Sequence, residues 1–170
     1  IQPLIKKYNI STNIIKLIHT NKVVEGEDSA LSAAKKGKDT SLWLAIDTLK
    51  NDEADAIVSA GNTGALFLIS KLNLKMIENI DKPALSAIWP SKKGMNVVLD
   101  LGANIECNKK NLVDFSIMGS ALHRALFEKE KPVVALLNIG SEALKGNTII
   151  KDTYQFLKSN KFNLFDFDGY

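Results

Sequence analysis

Three segments of the sequence place glycine and asparagine where an apolar run meets a helix-like stretch. The residues there that could do chemistry are Gly61, Asn62, Thr63 and Gly64, then Asp100, Gly102 and Asn104, and finally Lys145, Gly146 and Asn147. Glycine lets the backbone approach a ligand closely, asparagine caps helices, and a helix start offers free N–H groups with partial positive charge. At the carboxyl ends of parallel strands, such loops would form a rim suited to an anion. The pattern therefore predicts a phosphate or a phosphorylated compound as the ligand.

Each loop also has a purely structural interpretation. Asn62 or Thr63 could cap a helix that binds nothing, and this loop lacks the Gly-x-Gly-x-x-Gly spacing of a dinucleotide fingerprint. Asp100 could orient a substrate hydroxyl, a lysine or a phosphate proton, or it could cap local backbone N–H groups. Lys145 could act with a helix start on one anion, or it could be a solvated loop lysine. A nucleotide-triphosphate loop is excluded because glycine follows this lysine instead of preceding it.

The remaining reactive residues do not form a site in the sequence. His19 and His123 are accompanied by no carboxylate or cysteine cluster, which argues against a structural zinc site. Cys107 has no base close to it in sequence, so we expect a small, half-buried residue and not a nucleophile. No residue is predicted to bind a metal.

The elements that must position these loops alternate between strands and helices. Strand candidates are 13–18, 55–59, 84–89, 96–100, 133–137 and 162–167, and helix candidates are 3–8, 41–50, 63–77, a helix capped by Asn108 or Asn111 that runs to 127, and 147–159. This order predicts an α/β domain over residues 1–170, with three αβα layers and a mixed, largely parallel sheet. The strands at 84–89 and 96–100 are joined too closely for a parallel crossover, so they should either pair antiparallel or lie apart. Gly119 and Ser120, which lie inside the long helix, predict close packing of this helix against a neighbour.

Composition narrows the classes of function. The chain has 170 residues, of which 45% are hydrophobic and 24% charged, and its net charge of +3 is too small to argue for nucleic acid. Arg124 is the one arginine, so a bound phosphate would depend on backbone N–H groups and lysine. No run has the length of a membrane span, no secretory leader is visible, and a single cysteine fits the cytoplasm. The start at Ile1 and the end after a strand-like run indicate a fragment of a longer enzyme.

Taken in order, the motifs resemble those of a known family. Residues 55–65, 100–104, 118–121, 136–140 and 145–147 are similar to segments of the bacterial phosphate acyltransferases of phospholipid synthesis, the PlsX family. The likeness covers nearly the whole chain. Two family segments are absent, namely an opening Asp-Ala-Met-Gly-Gly-Asp and a later Asp-Gly-Phe-Thr-Gly-Asn loop.

The resemblance implies a reaction in which a fatty acyl group moves from acyl carrier protein to inorganic phosphate, giving acyl phosphate. It also implies a fold like that of isocitrate and isopropylmalate dehydrogenases, and a homodimer. Members of the family act in the cytoplasm, can contact the membrane peripherally and supply a downstream membrane acyltransferase.

For this reaction we predict that Lys145 and the N–H groups near Asn147 and Asn62 hold phosphate. Asn104 would be a nearby hydrogen-bond partner, and Asp100 would orient the lysine or accept a proton. The glycines and Thr63 of the three loops would contribute to binding, and no metal or redox cofactor is needed. Two alternatives remain, which are a phosphotransacetylase-like enzyme that uses an acyl-coenzyme A thioester and a non-catalytic domain for dimer or membrane contacts.

Overall fold

The computed structural model describes residues 1–92, 94–128, 131–140 and 145–170. These residues form an α/β structure of six α-helices, a 3-10 helix at Thr12–Ile14 and four strands. The helices are α1 Gln2–Lys7, α2 Ala30–Lys35, α3 Ser41–Lys50, α4 Thr63–Asn73, α5 Lys109–Phe127 and α6 Thr148–Ser159, and the strands are β1 Ala87–Ser91, β2 Gly94–Val98, β3 Val133–Ala135 and β4 Asp166–Gly169. The chain divides into two compact units, Ile1–Lys75 and Met76–Tyr170.

The first unit has a helical core. Its buried apolar residues are Ala33, Leu42, Trp43, Ile46, Ala65 and Ile69. Helix α3 has the predicted bounds because Thr40, which is fully buried, caps it and accepts a hydrogen bond from the Trp43 amide at 3.4 Å. Leu42 and Ile46 then recur on one face at helical spacing and pack into the core.

Two strand predictions in the first unit are wrong. Residues 12–14 form the 3-10 helix, and neither 15–18 nor 55–59 is a strand among the described residues. The side chains of Ile14 and Val58 are 79% and 99% exposed, so the apolar runs that suggested buried strands are not buried. A strand also needs a neighbouring strand for its backbone hydrogen bonds, and the described part of this unit provides none beyond an isolated bridge between Lys22 and Thr40.

The second unit contains all four of the described strands, in two two-stranded sheets. Strands β1 and β2 are antiparallel, as the short connection predicted, and Ile88 lies opposite Val97. Strands β3 and β4 are parallel and pair Val133 with Asp166. Leu136, Leu157 and Phe165 form the buried core between this second sheet and α6.

Helix α5 lies against both sheets. Asn108 and Asn111 form its capping box, since each side chain accepts a hydrogen bond from the backbone N–H of the other, at 3.0 and 3.1 Å. The predicted close packing is confirmed at Gly119 and Ser120. A methyl group added at Gly119 would lie 3.0 Å from Leu99 Cδ1, and Ser120 is almost completely buried. A side chain at position 119 would therefore require Leu99 to move by a few tenths of an ångström.

Replacing Gly119 with valine should lower the free energy of unfolding by about 1 to 2 kcal/mol, because the new side chain overlaps Leu99 in a packed interface. Urea denaturation measures this change. Ala125→Val, at an exposed position of the same helix, is the matched control and should cost about 0.5 kcal/mol from helix propensity. Equal losses in the two variants would contradict the packing argument.

Candidate functional site

The first candidate loop, 61–64, begins helix α4. Asn62 caps the helix as predicted, since its Oδ1 accepts a hydrogen bond from the Ala65 amide at 2.9 Å. Its Nδ2 donates to the backbone carbonyls of Asp28, Gly26 and Glu25 at 2.7, 3.0 and 3.4 Å. The Asn62 side chain therefore ties the 25–28 turn to the helix start.

The backbone of this loop is open towards solvent. Gly61, Thr63 and Gly64 are exposed, and the Gly61 amide donates to Ser59 Oγ at 3.2 Å. The first N–H groups of an α-helix have no intrahelical partner. Those of Thr63 and Gly64 therefore point out of the helix start, where an anion could accept hydrogen bonds from them. The Asn62 cap thus fixes the orientation of these backbone amides.

The turn held by Asn62 is organised around a carboxylate. Asp28 Oδ2 accepts from the Glu25 amide at 2.7 Å and pairs with Lys36 Nζ at 2.6 Å. The hydrogen bond from Lys36, followed by that from the Glu25 backbone, lowers the pKa of Asp28. The contacts of Asn62 with this turn were not predicted, because they join residues that are 34 to 37 positions apart in the sequence.

The second loop follows β2 and contains the predicted carboxylate. Asp100 Oδ1 accepts from the Leu85 amide at 2.7 Å, and Oδ2 accepts from the Asn104 amide at 2.8 Å and from Asn104 Nδ2 at 3.1 Å. Asn104 Nδ2 also donates to the Pro83 carbonyl at 2.9 Å. Asp100 and Asn104 therefore contact each other, and the geometry is that of the structural alternative, in which the aspartate binds local N–H groups.

Two further features surround this loop. Gly102 has a φ of +82°, a conformation that suits glycine, and it lets the chain turn between Asp100 and Asn104. Lys82 Nζ donates to the Glu106 carbonyl at 2.6 Å, which puts a cation beside the loop. Sequence reasoning assigned no role to this lysine.

Cys107 is half-buried near the same loop, as expected. Burial raises the pKa of its thiol, the charge of Lys82 lowers that pKa, and the charge of Asp100 raises it. The net direction is upwards, so less reactive thiolate is present at neutral pH than for a free cysteine.

The alkylation of Cys107 by iodoacetamide should therefore reach its half-maximal rate at a higher pH in the folded protein than in urea, because the thiolate reacts and the folded pKa is raised. Lys82→Ala should move the folded midpoint higher still by removing an attractive charge. Rates measured by mass spectrometry at several pH values test this. A folded midpoint below that of the denatured protein would identify an activated thiol instead.

The third loop is closed by Asn138. Its Nδ2 donates to the carbonyls of Gly140 and Lys145 at 3.0 and 3.3 Å. Gly146 has a φ of +89°, and a side chain there would come within 2.6 Å of Asn138 Oδ1, so glycine is required. Asn147 then caps α6 by accepting from the Ile150 amide at 2.9 Å. Lys145 and Asn147 are exposed at this helix start, while 141–144 lie outside the described residues.

The predicted site residues are distributed over both units. Loop 61–64 belongs to the first unit, and the loops at 100–104 and 145–147 belong to the second. Asp100, Gly102 and Asn104 line a cavity of ≈630 Å³ within the second unit. The convergence of all three loops on one anion stays a prediction.

Neither a metal-binding cluster nor a membrane-spanning helix is found among the described residues. No group of three or more histidine, cysteine, aspartate or glutamate side chains is placed there to hold a metal ion. None of the described helices is both long and apolar enough to cross a membrane.

An α/β protein with glycine–asparagine loops at its helix starts is of a class suited to binding anions. The chain belongs to the family described as fatty acid synthesis protein, whose model matches residues 1–170. It is 61% identical over 161 residues to a phosphate acyltransferase of Pelagibacter ubique, which covers 95% of this chain and 48% of that protein. It is 43% identical over 162 residues to a phosphate acyltransferase of Maricaulis maris, which covers 95% of this chain and 46% of that protein.

A third relative gives the same picture over the full chain. The phosphate acyltransferase of Bradyrhizobium diazoefficiens is 42% identical over 171 residues, which is 100% of this chain and 48% of that protein. The chain thus spans about half the length of the curated relatives that it matches.

Proposed function

We propose that the full-length protein containing this chain transfers a fatty acyl group from acyl carrier protein to inorganic phosphate in bacterial phospholipid synthesis. The observation that carries this proposal is the 61% identity to a phosphate acyltransferase along 95% of the chain. Exposed helix starts at Thr63 and Thr148, each preceded by a capping asparagine, are consistent with binding the phosphate co-substrate.

The proposed chemistry is a direct displacement. A phosphate oxygen attacks the thioester carbonyl, the carbon–oxygen bond forms, and a tetrahedral oxyanion develops. The carbon–sulfur bond then breaks, so that the products are acyl phosphate and the free thiol of the carrier protein after the leaving thiolate takes a proton. Phosphate is already a nucleophile at neutral pH, so no acyl-enzyme is required, and the protein has to position two anionic species.

The proposal assigns a role to each predicted site residue. In this proposal, the phosphate is held by the ammonium group of Lys145 and by the backbone amides at the start of α6, next to Asn147. The amides of Thr63 and Gly64 contribute further hydrogen bonds. Gly61, Gly102 and Gly146 let the backbone approach it. Asn104 is a hydrogen-bond partner, and Asp100 fixes Asn104 through the contacts at 2.8 and 3.1 Å and can also orient a lysine. No metal or redox group enters this scheme.

The proposal includes a single domain with three αβα layers and a mixed, largely parallel sheet, like that of isocitrate and isopropylmalate dehydrogenases. The exposure of apolar side chains on one face of β3 and the residues that follow it supports this layered architecture. Leu136 points to the side covered by α6, whereas the side chains of Val133 and Leu137, on the opposite face, are 66% and 89% exposed. An apolar strand face of this kind is expected to be covered by a further layer in the complete protein.

The test is an assay on the full-length protein with an acyl thioester of acyl carrier protein and inorganic phosphate. Hydroxylamine traps acyl phosphate as a hydroxamate, and product formation should require phosphate. The same assay with acyl-coenzyme A separates the phosphotransacetylase-like alternative, which predicts coenzyme A as the better donor. If neither donor yields hydroxamate above the rate without protein, the proposal is wrong and the non-catalytic alternative is favoured.

The proposal also includes a homodimer, a cytoplasmic location, peripheral contact with the membrane, and a downstream membrane acyltransferase as a partner. Sedimentation of the full-length protein tests the dimer, and flotation with anionic liposomes tests membrane contact. A monomer that does not float would reject both of these associations without affecting the assignment of the reaction.

A further inference from the structure

Residues 82–85, which lead into β1, lie beside the candidate loop that follows β2. Because β1 and β2 are antiparallel, the start of β1 and the end of β2 are at the same end of the hairpin. The Leu101 amide donates to the Leu85 carbonyl at 3.0 Å, and the Leu85 amide donates to Asp100 Oδ1 at 2.7 Å. The sequence pattern, which joined only loops that follow strands, did not include this segment.

The Lys82 side chain is held at this end of the hairpin. Its Nζ donates to the Glu106 carbonyl at 2.6 Å, and the carbonyl of the next residue, Pro83, accepts from Asn104 Nδ2 at 2.9 Å. Lys82 is half-buried, so these contacts place its ammonium group at a defined position on the 100–106 loop.

The ammonium group of Lys82 has binding capacity that these contacts do not use. A lysine has three N–H donors, and one of them is directed to the Glu106 carbonyl. Lys36 and Lys110 pair with aspartates at 2.6 and 2.8 Å, whereas no carboxylate of the described residues forms an ion pair with Lys82. Two donors and a positive charge are therefore available to an anion.

The side chains of the loop itself offer no further donor. The two N–H groups of Asn104 Nδ2 are directed to the Pro83 carbonyl and to Asp100 Oδ2, at 2.9 and 3.1 Å. Asn104 keeps its Oδ1, which can accept only from a protonated oxygen of phosphate, and an ionised Asp100 is an acceptor alone. Lys82 offsets the Asp100 charge locally, since the two charges act in opposite directions on the pKa of Cys107.

We infer that Lys82 is a phosphate-binding residue, whose ammonium group contacts an oxygen of the phosphate co-substrate beside the 100–104 loop. The inference rests on the proposed function, and it adds a second cation to the one assigned to Lys145. Asn104 then also has a positioning role, because its contact with the Pro83 carbonyl fixes the backbone next to the lysine.

Steady-state kinetics of the full-length protein test this role. Lys82→Ala should raise the KM for phosphate about 10- to 100-fold, the effect of one charge-assisted hydrogen bond, and should change kcat at saturating phosphate by less than about threefold. Lys82→Arg keeps the charge and should recover most of the affinity. Lys82→Gln keeps a donor for the Glu106 carbonyl without the charge, so its KM should match that of Lys82→Ala, whereas a purely structural role predicts a normal KM.

Lys92→Ala is the matched control. Lys92 is exposed in the turn at the other end of the same hairpin, five residue pairs away. This distance exceeds the screening length of about 8 to 10 Å at ordinary ionic strength, so the KM for phosphate should stay within about twofold of the wild-type value.

A second measurement needs no turnover. Acetic anhydride acetylates exposed lysines, and mass spectrometry gives the rate at each one. Phosphate at ten times its dissociation constant should slow the acetylation of Lys82 about tenfold and leave that of Lys92 unchanged. Sodium chloride at the same ionic strength should protect neither residue.

The outcomes separate this inference from the proposed reaction. A normal KM for phosphate in Lys82→Ala, with an active wild type, would overturn the inference and leave the reaction intact. A lower kcat or a higher KM for the thioester, with an unchanged KM for phosphate, would also overturn it, because the charge would then act on another group. Protection of Lys82 by phosphate in a wild type that forms no acyl phosphate would support the binding role and reject the reaction.

Discussion

Replacing Lys145 with alanine in the full-length protein should lower acyl-phosphate formation about 100-fold, the loss typical of removing one electrostatic contact to a developing anion. Lys145 is exposed and lies two residues before Asn147, the cap of α6, so its ammonium group and the helix start can act on the same phosphate. Since exposed substitutions rarely change stability by more than about 0.5 kcal/mol, the fold should be retained. Initial rates at saturating acyl carrier protein thioester measure the effect, with circular dichroism to check the fold.

Two further variants separate charge from position. Lys145→Arg keeps a cation and should recover part of the lost rate, although the planar guanidinium cannot reproduce an ammonium contact fully. Lys161→Ala removes another exposed lysine after α6 and should leave the rate within about twofold, because it lies at the end of the helix remote from the cap. Near-normal turnover of Lys145→Ala would reject the assignment of this residue.

The helix starts could be predicted from sequence because capping is local. Asn62, Asn108 and Asn147 each accept a hydrogen bond from an amide three residues later, and α4, α5 and α6 begin directly after them. The end of α4 was predicted too far along, at 77, since the apolar pattern continues past Asn73 while the backbone at Leu74 is already extended.

The strands were harder to predict because their stability depends on a partner elsewhere in the chain. The antiparallel pairing of β1 and β2 was confirmed, and the short connection between them had already excluded a parallel crossover. The candidates at 13–18 and 55–59 have the same apolar composition but form no ladder in the described residues. Composition shows that a segment can be a strand, and only a paired neighbour makes it one.

The candidate site shows the same division between local and distant contacts. The roles of Gly146 and Asn147 at a turn and a cap follow from residue type and spacing. The closure of this loop by Asn138 and the anchoring of Asn62 on the 25–28 turn depend on contacts between side chains and distant carbonyls, which no local pattern encodes. Family motifs included several of these residues without indicating what they contact.

Asn62→Ala should lower the free energy of unfolding of the first unit by about 3 kcal/mol, of which about 1 kcal/mol is the lost cap and the rest the lost amide hydrogen bonds. Its Nδ2 holds three carbonyls of the 25–28 turn, so the variant should loosen both the turn and the start of α4. Urea unfolding followed by Trp43 fluorescence in a Trp89→Phe background measures this unit, because Trp43 lies in its core.

Matched variants apportion the loss between the cap and the anchored turn. Asn62→Ser keeps a capping oxygen and should lose only the part due to the amide, about 2 kcal/mol. Asn73→Ala, at the other end of α4, removes one contact to the Ile69 carbonyl and should cost about 1 kcal/mol. If Asn62→Ser is as stable as the wild type, the turn is not held by this side chain. The amides of Thr63 and Gly64 would then be oriented by the cap alone, and the Michaelis constant for phosphate should be unchanged in that variant.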